Sequence, residues 1–225
     1  MIITDSLGAP RRINTYLPYE KTWPCLLTKY MEINFSYKNF VFTHQGLDSN
    51  ELVWLIDAKL DLYDSKYVFL HVGIVDCARR VMKKKTQVFI SMIPGINYLV
   101  KYIANKYHYT LTKLFEKVYV KKTQFKNNLK IVINKFENSK IFIIPILPVG
   151  PNFKINSYNI DKQIEEYNKI IEDVASNFSY VSFLSSITSE FEKSTHNLYM
   201  SDGYHINENA HQIIYNTILD ELTSK

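Results

Sequence analysis

Short apolar runs bounded by turn residues recur along the chain and predict five buried β-strands. The runs are rich in β-branched and aromatic side chains, which favour strands over helices at this length. They cover residues 2–5, 40–43, 67–72, 141–147 and 180–184. Because most of the runs have no polar face, they are typical of parallel strands that are covered by helices on both sides.

The segments between these runs repeat apolar residues every three or four positions, as amphipathic helices do. The repeats consist of Leu52, Ile56 and Leu60; of Phe125, Leu129, Val132 and Phe136; and of Ile160, Ile164, Tyr167, Ile171 and Val174. A final helix is predicted over residues 208–222, with Asn207 as its N-cap. Alternating strands and helices predict an α/β fold, a three-layer α/β/α flavodoxin-like sandwich around a parallel sheet of about five strands in the order 2-1-3-4-5.

Residues 83–121 are longer than one crossover between strands needs. The part over residues 98–120 is aromatic and rich in lysine, and its pattern favours helix. We interpret residues 83–121 as a helical insertion or lid. No repeat, low-complexity tract or linker divides the chain, so residues 1–225 are expected to form a single domain.

The composition is that of a compact globular chain. Of its 225 residues, 46% are hydrophobic and 22% are charged, which excludes a disordered chain and a coiled coil. The net charge of +5 favours an anionic partner. The longest basic run is three lysines, residues 83–85, so we expect no nucleic-acid partner.

Cysteine spacing and hydropathy limit the cofactors and the location. Cys25 and Cys77 are too few for a disulfide framework and lack the paired spacing of a zinc site, so we expect reduced thiols, no metal and no cofactor. No apolar run reaches about 18 residues, and no basic region followed by an apolar stretch opens the chain. We therefore expect a cytoplasmic protein with no membrane span.

Glycine is scarce, and four of the six glycines lie in loops that follow predicted strands or precede the last helix. An open parallel sheet binds ligands outside the carboxyl ends of its strands. The four loops are residues 4–8 (Thr-Asp-Ser-Leu-Gly), 44–46 (His-Gln-Gly), 73–76 (Gly-Ile-Val-Asp) and 202–205 (Asp-Gly-Tyr-His). No Gly-x-Gly-x-x-Gly or Gly-x4-Gly-Lys motif occurs, which excludes dinucleotide and P-loop sites.

These loops resemble the four sequence blocks of the SGNH or GDSL-type hydrolases, which supply serine, glycine, asparagine and histidine to one site. By that resemblance Ser6 matches the nucleophile, Gly46 the second-block glycine, Gly73 the start of the third block, and Asp202 and His205 the terminal Asp-x-x-His. The order of the blocks and their placement near the two ends of the chain match as well.

The chemistry of acyl transfer requires the same residue types. A serine hydroxyl needs an imidazole to accept its proton, and a carboxylate orients that imidazole and stabilises its charged form. Ser6, His205 and Asp202 can supply these three groups. The charge that develops on the carbonyl oxygen must meet N–H donors, for which we expect the backbone of Ser6 and Gly46.

The sequence departs from the family pattern at two positions. Thr4 stands where the first block usually has glycine, and Val75 stands where the third block has the asparagine that donates to the oxyanion. Loss of one such donor typically costs on the order of 10²- to 10³-fold in rate. Either another side chain replaces it, with His44, Gln45 and Asn50 as candidates, or the enzyme is slow on simple esters. The Gly-Ile-Val-Asp-Cys variant resembles members linked to modification of bacterial surface polysaccharides.

Each motif also has an ordinary structural interpretation. Alone, the loop at residues 4–8 is a turn or helix start, and His205 is a surface-loop residue. Their combined position at the first strand and before the last helix favours catalysis.

The four arginines occur as two pairs, which are either solvated loop charges or a site for an anionic substrate at the ligand edge of the sheet. The pairs are Arg11 with Arg12 and Arg79 with Arg80.

The leading hypothesis is a serine-dependent esterase that removes O-acyl groups, above all O-acetyl, from a carbohydrate or a similar small-molecule or glycan ester. The first alternative is an O-acetyltransferase that acts on a surface polysaccharide or a sugar precursor, because hydrolysis and transfer share the acyl-enzyme. The second alternative is a non-catalytic module that binds an anion or glycan. An α/β-hydrolase is disfavoured, because its nucleophile follows several strands.

Overall fold

The computed structural model describes residues 1–12, 16–60, 63–93 and 95–223. In this part of the chain, five parallel strands form one sheet in the order β2-β1-β3-β4-β5. The strands are β1 (Ile2–Thr4), β2 (Val41–Thr43), β3 (Tyr67–His71), β4 (Lys140–Ile143) and β5 (Val181–Phe183). The predicted α/β/α sandwich and the predicted strand order are therefore confirmed.

Helices fill the connections between the strands and also follow the last strand. They are α1 (Trp23–Phe35), α2 (Ser49–Leu55), α3 (Ile74–Cys77), α4 (Lys84–Ser91), α5 (Ile96–Lys106), α6 (His108–Phe115), α7 (Lys122–Lys135), α8 (Pro151–Asn156), α9 (Ile160–Ala175), α10 (Ser186–Lys193) and α11 (Glu208–Thr223). Short 3-10 helices form at Ser6–Gly8 and Tyr19–Lys21, and a π-helical turn, Ile56–Leu60, continues α2. Because the helices connect parallel strands, they cover the two faces of the sheet.

The helices form two contacting groups. Helices α1 and α10 both pack against α11, while α2 and α9 both pack against α7. The three predicted apolar stripes lie on α2 with its π-turn, on α7 and on α9, and all their residues are buried in one hydrophobic core. The last helix begins at Glu208, and the Asn207 side chain accepts a hydrogen bond from Ala210 N–H at 3.3 Å, as its predicted capping role requires.

The fourth strand is shorter than the predicted run of residues 141–147. It ends at Ile143, and Ile144 N–H still bonds Leu70 C=O of β3 at 2.9 Å, whereas the buried residues after it lie beyond the end of β3 at His71. The Asn168 side chain on α9 takes the place of a strand, bonding the N–H and C=O of Ile146 at 2.8 and 2.9 Å. Burial of an apolar run therefore extends further than its pairing as a strand.

The first three strands in sheet order end together at one edge of the sheet. In β1, Thr4 lies opposite Thr43 of β2 on one side and opposite His71 of β3 on the other. The chain that follows each of these strands therefore leaves the sheet at the same edge. Parallel α/β sheets bind ligands at such an edge.

Residues 84–115 form three helices, α4, α5 and α6, so the predicted helical insertion is confirmed. None of the helices in the described ranges is long and apolar enough to cross a membrane. The two cysteines, Cys25 and Cys77, are buried free thiols, as predicted.

A buried polar cluster holds the third-block loop to its neighbouring helices. The carboxylate of Asp76 accepts hydrogen bonds from the N–H and the hydroxyl of Ser49, at 2.9 and 2.5 Å. Asn128 on α7 donates to the Ser49 hydroxyl at 2.9 Å. Burial raises the pKa of Asp76 to about 7 despite these bonds. Asp76 therefore links α2, α3 and α7.

The raised pKa of Asp76 makes stability depend on pH. The folded state retains a proton on Asp76 that the unfolded chain loses above about pH 4. The contribution of Asp76 to the unfolding free energy is therefore complete at low pH and is lost as pH rises through about 7. Between pH 5 and 7.5, we expect the wild type to lose on the order of 2 kcal/mol more unfolding free energy than Asp76→Asn loses, as measured by urea denaturation. Exposed Glu192→Gln is the matched control. Equal pH dependence in the wild type and the Asp76 variant would contradict the assignment.

Candidate active site

Ser6 begins the short 3-10 helix that follows β1. The buried Asp5 caps this helix, because its Oδ1 accepts a hydrogen bond from Leu7 N–H at 2.8 Å. Asp5 is therefore the N-cap of this helix, and the Ser6 hydroxyl does not serve as a cap. Burial raises the pKa of Asp5 to about 7.

The departure at Thr4 is accommodated by the glycine four residues later. A Cβ added at Gly8 would lie 2.4 Å from Thr4 Cγ2, which is far inside van der Waals contact. The Thr4 side chain therefore occupies the space that the missing side chain of Gly8 leaves open. The turn that carries Ser6 closes without a glycine at position 4.

Three sequence-predicted side chains meet at the carboxyl edge of the sheet. The Oγ of Ser6 lies 3.4 Å from Nε2 of His205, although the two residues are 199 positions apart in the chain. On the other side of the imidazole, His205 Nδ1 lies 2.6 Å from Oδ2 of Asp202. The chain Ser6, His205, Asp202 has the connectivity of a nucleophile, a base and an orienting carboxylate.

A tight loop fixes the carboxylate and the imidazole relative to each other. Asp202 Oδ1 accepts hydrogen bonds from the N–H groups of Tyr204 and His205, both at 2.9 Å. Gly203 has a φ of +68°, and an added Cβ would lie 2.6 Å from the nitrogen of Phe153. Because Gly150 N–H also bonds Gly203 C=O at 2.7 Å, the loop rests directly on the start of α8.

The protonation states suit proton transfer from serine. Burial lowers the pKa of His205, the bond to Asp202 opposes this effect, and the nearby Arg11 charge lowers the pKa further. Burial alone would raise the pKa of Asp202, but the hydrogen bonds from His205 and Tyr204 outweigh it and leave the pKa below its ordinary value. At neutral pH the imidazole is therefore neutral and the carboxylate is ionised.

The two expected oxyanion donors lie in loops that follow neighbouring strands. Within the described part of the chain, neither Ser6 N–H nor Gly46 N–H has a hydrogen-bond acceptor. The loop of Gly46 is tied to β1 by the bond from His44 N–H to Thr4 C=O at 3.1 Å. A Cβ built at Gly46 would meet no atom within 4 Å, so the space beside this residue is open to a ligand.

The third-block position offers no donor, and the three predicted substitutes are all exposed. Val75 is a buried apolar residue in α3. His44 stacks on Phe42 with ring centroids 6.2 Å apart and is exposed, as is Gln45. Asn50 accepts a hydrogen bond from Asn128 at 2.9 Å.

Tyr204 is the side chain that sequence reasoning missed. Its ring packs edge-on against His205 with centroids 4.6 Å apart, and its hydroxyl lies near the Ser6 side chain. Burial raises the pKa of Tyr204, so the hydroxyl stays protonated and can donate. The available signal was its position inside the Asp-x-x-His motif, directly before the histidine.

The four arginines occupy different environments. Burial lowers the pKa of Arg11, and the charges of the nearby Asp202, Tyr204 and Asp5 oppose this effect. Arg12 is exposed in the same loop.

The second pair contacts groups that border the helical insertion. Arg79 is buried and pairs with Glu116 at 2.7 Å, and its guanidinium lies 4.9 Å from the centre of the Tyr158 ring. Arg80 lies 5.0 Å from the centre of the Tyr119 ring. Binding of an anionic substrate by the two pairs stays a prediction.

In the described ranges, no three histidine, cysteine, aspartate or glutamate residues cluster in a way that could hold a metal ion. Burial raises the pKa of Cys77, which disfavours its thiolate.

Solved structures share this fold at low sequence identity. TesA is 15% identical, with a TM-score of 0.63 over 99% of this chain and 97% of its own. LAE5, an alpha/beta hydrolase enzyme from a Lake Arreo metagenome, is 14% identical, with a TM-score of 0.64 over 97% of this chain and 91% of its own. Axe2, an acetylxylan esterase from Geobacillus stearothermophilus, is 11% identical, with a TM-score of 0.66 over 99% of this chain and 92% of its own.

These similarities show that the chain shares its overall fold with these hydrolases and esterases. No protein-family model matches the chain, and no curated protein matches it in sequence.

The surroundings of His205 predict a pH profile. We expect kcat/KM on a small acetyl ester to fall on the acid side with a midpoint below the ordinary histidine pKa of about 6.5, because the proton disables the base. Arg11→Met removes a charge that disfavours the imidazolium, so the midpoint should move to higher pH. Lys29→Met, on exposed α1 surface, is the charge-matched control. A midpoint unmoved by the Arg11 change would rule out the electrostatic contact.

Proposed function

We propose that the chain is a serine-dependent esterase that works through an acyl-enzyme on Ser6. The observation that carries this proposal is the contact series from Ser6 Oγ to His205 Nε2 at 3.4 Å and from His205 Nδ1 to Asp202 at 2.6 Å. Two structures of Axe2 are described as catalytic mutants in which an aspartate or a serine is replaced by alanine. The same two residue types take part in the series here.

The first half-reaction transfers the acyl group to the enzyme. His205 accepts the Ser6 proton as Oγ attacks the ester carbonyl carbon, and Asp202 stabilises the imidazolium that forms. The C–O bond to the leaving alcohol then breaks, and His205 gives its proton to the departing oxygen. The 3.4 Å separation is long for a hydrogen bond, and such contacts shorten when substrate binds.

Water completes the cycle in the second half-reaction. His205 takes a proton from the water as its oxygen attacks the acyl carbon, and the Ser6 oxygen leaves and recovers the proton. The acid and the regenerated serine are the products. Transfer to a sugar hydroxyl would follow the same steps with a different acceptor, but none of the contacts described above favours that acceptor over water.

The oxyanion is stabilised by three donors, two backbone N–H groups and one side-chain hydroxyl. Ser6 N–H and Gly46 N–H have no acceptor in the described part of the chain and are free to meet the developing charge. The Tyr204 hydroxyl, next to the Ser6 side chain, is the third donor and substitutes for the amide that Val75 lacks. Tyrosine hydroxyls serve this purpose in other active sites.

The substrate class we favour is an O-acetyl ester of a carbohydrate. Axe2, which has the same fold, is named an acetylxylan esterase. The Arg11 guanidinium beside Asp202 and Tyr204 is suited to an anionic group on the substrate, since guanidinium groups bind carboxylate and phosphate well.

A fluorophosphonate probe tests the covalent step. We expect it to label the wild-type chain and to leave Ser6→Ala unlabelled, because the phosphorus centre needs an activated serine. The same variant should lose at least about 10³-fold in kcat on an acetyl ester. Ser201→Ala, an exposed serine near the site, is the matched control and should stay labelled. Labelling that survives in Ser6→Ala would overturn the proposal.

Removal of one hydroxyl tests the third donor. Tyr204→Phe keeps the ring packed on His205 and removes only the donor, so kcat should fall on the order of 10- to 10³-fold with little change in KM. Tyr199→Phe, whose ring lies against Gly150, is the control for losing a tyrosine hydroxyl nearby. Equal kcat in Tyr204→Phe and the wild type would assign the oxyanion to the backbone donors alone.

A further inference from the structure

The helical insertion, α4 to α6 at residues 84–115, exposes an unusual amount of apolar surface. Six of its large apolar side chains are at least 60% exposed, namely Phe89, Met92, Tyr98, Leu99, Tyr102 and Leu114. None of the residues of α4 or α5 whose burial is described is buried. Because α5 packs against both α4 and α6, these side chains lie on neighbouring helices, and exposed apolar side chains concentrated in this way mark a contact with another medium or molecule.

The same segment carries the positive charge of the protein. Residues 84–115 contain five lysines and no aspartate or glutamate, whereas the rest of the chain has 22 basic and 22 acidic residues. Lys101 and Lys106 on α5 and Lys113 on α6 are exposed. The partner of this surface must therefore be anionic as well as apolar.

We propose that the helical insertion docks on the surface of a bilayer that contains anionic lipids. Helices that lie in a membrane interface combine exposed aliphatic and aromatic side chains with lysines, which reach the headgroups. Tyrosine suits this depth because its ring is apolar and its hydroxyl is polar. Tyr98, Leu99, Tyr102 and Lys101 provide this combination within two turns of α5.

Other anionic or apolar partners match fewer of these features. A nucleic acid would satisfy the lysines but offers no apolar medium for Met92, Leu99 and Leu114. A second copy of the chain would bring two segments of the same charge together with no acidic residue in either one to pair with the lysines. A bilayer with anionic headgroups satisfies the charge and the apolar area together.

The insertion is connected to the catalytic edge of the sheet. Arg80 N–H bonds Lys117 C=O at 2.7 Å, directly after α6, and the Arg80 charge acts on Tyr204. His108 Nδ1 at the start of α6 lies 2.6 Å from Asn156 C=O at the end of α8. Docking would therefore hold the site near the bilayer, and, if the proposed function holds, its substrates would include acyl esters carried at a membrane surface.

Vesicle sedimentation tests the docking independently of catalysis. The full-length Ser6→Ala chain is mixed with vesicles of phosphatidylcholine alone or of equal parts phosphatidylcholine and phosphatidylglycerol. We expect sedimentation with the second vesicles and not with the first, weakening as salt is added. Failure to sediment with the phosphatidylglycerol vesicles at low salt would overturn the proposal, whatever the activity of the wild type on soluble esters.

Two sets of variants test the surface. Lys101→Glu, Lys106→Glu and Lys113→Glu together should weaken binding on the order of 100-fold. Lys29→Glu, Lys130→Glu and Lys162→Glu together change the net charge equally at exposed positions outside the insertion and should weaken it much less. Equal losses in the two sets would attribute binding to net charge and overturn the assignment to the insertion.

The apolar contribution has its own test. Leu99→Asn should weaken binding even at the salt concentration where electrostatic attraction is screened, whereas Ile33→Asn on α1, also highly exposed, should not. Thermal unfolding of each variant confirms that it is folded. If analytical ultracentrifugation shows a dimer that Leu99→Asn abolishes, the partner of this surface is a second copy of the chain. If the protein is retained on polyuridylate but does not bind vesicles, the partner is RNA.

Discussion

The alignment of strand ends at one edge of the sheet is the constraint on which the candidate site depends. Because Thr4 pairs with Thr43 and with His71, the three chain segments that follow must emerge side by side. Ser6 then needs only one further group, and the loop before α11 brings His205 to it from the far end of the chain. The geometry of the candidate site thus follows from the parallel strand register and from the one loop that carries Asp202 and His205.

Buried polar side chains hold the loops at this edge of the sheet in place, beyond the point where the strand hydrogen bonds end. Asp5 caps the helix that starts with Ser6, and Asp76 binds Ser49 in the neighbouring helix. Both carboxyl groups are fully surrounded by protein and have raised pKa values because burial disfavours their charge. Such groups rigidify a loop at a cost in stability, which is common at functional sites.

The strands, their order and the main helices could be predicted because hydrophobic periodicity and parallel-sheet topology determine them. The pairing of Ser6 with His205 followed from the motif positions at the two ends of the chain. The position of Tyr204 inside the Asp-x-x-His motif was available from the sequence, but the direction of its side chain could not be predicted, since a tight loop has no periodicity to reveal it. The shortened β4 was missed for a related reason, because an apolar run reports burial and does not report where Asn168 replaces a strand partner.

The contact between Thr4 and Gly8 couples two positions of the turn that carries Ser6. With threonine at position 4, any side chain at position 8 would overlap it. A glycine at position 4 would leave room for a side chain at position 8, whereas a larger residue at position 8 alone would distort the turn. The sizes of the two residues are therefore not independent, because the turn has space for a side chain at only one of the two positions.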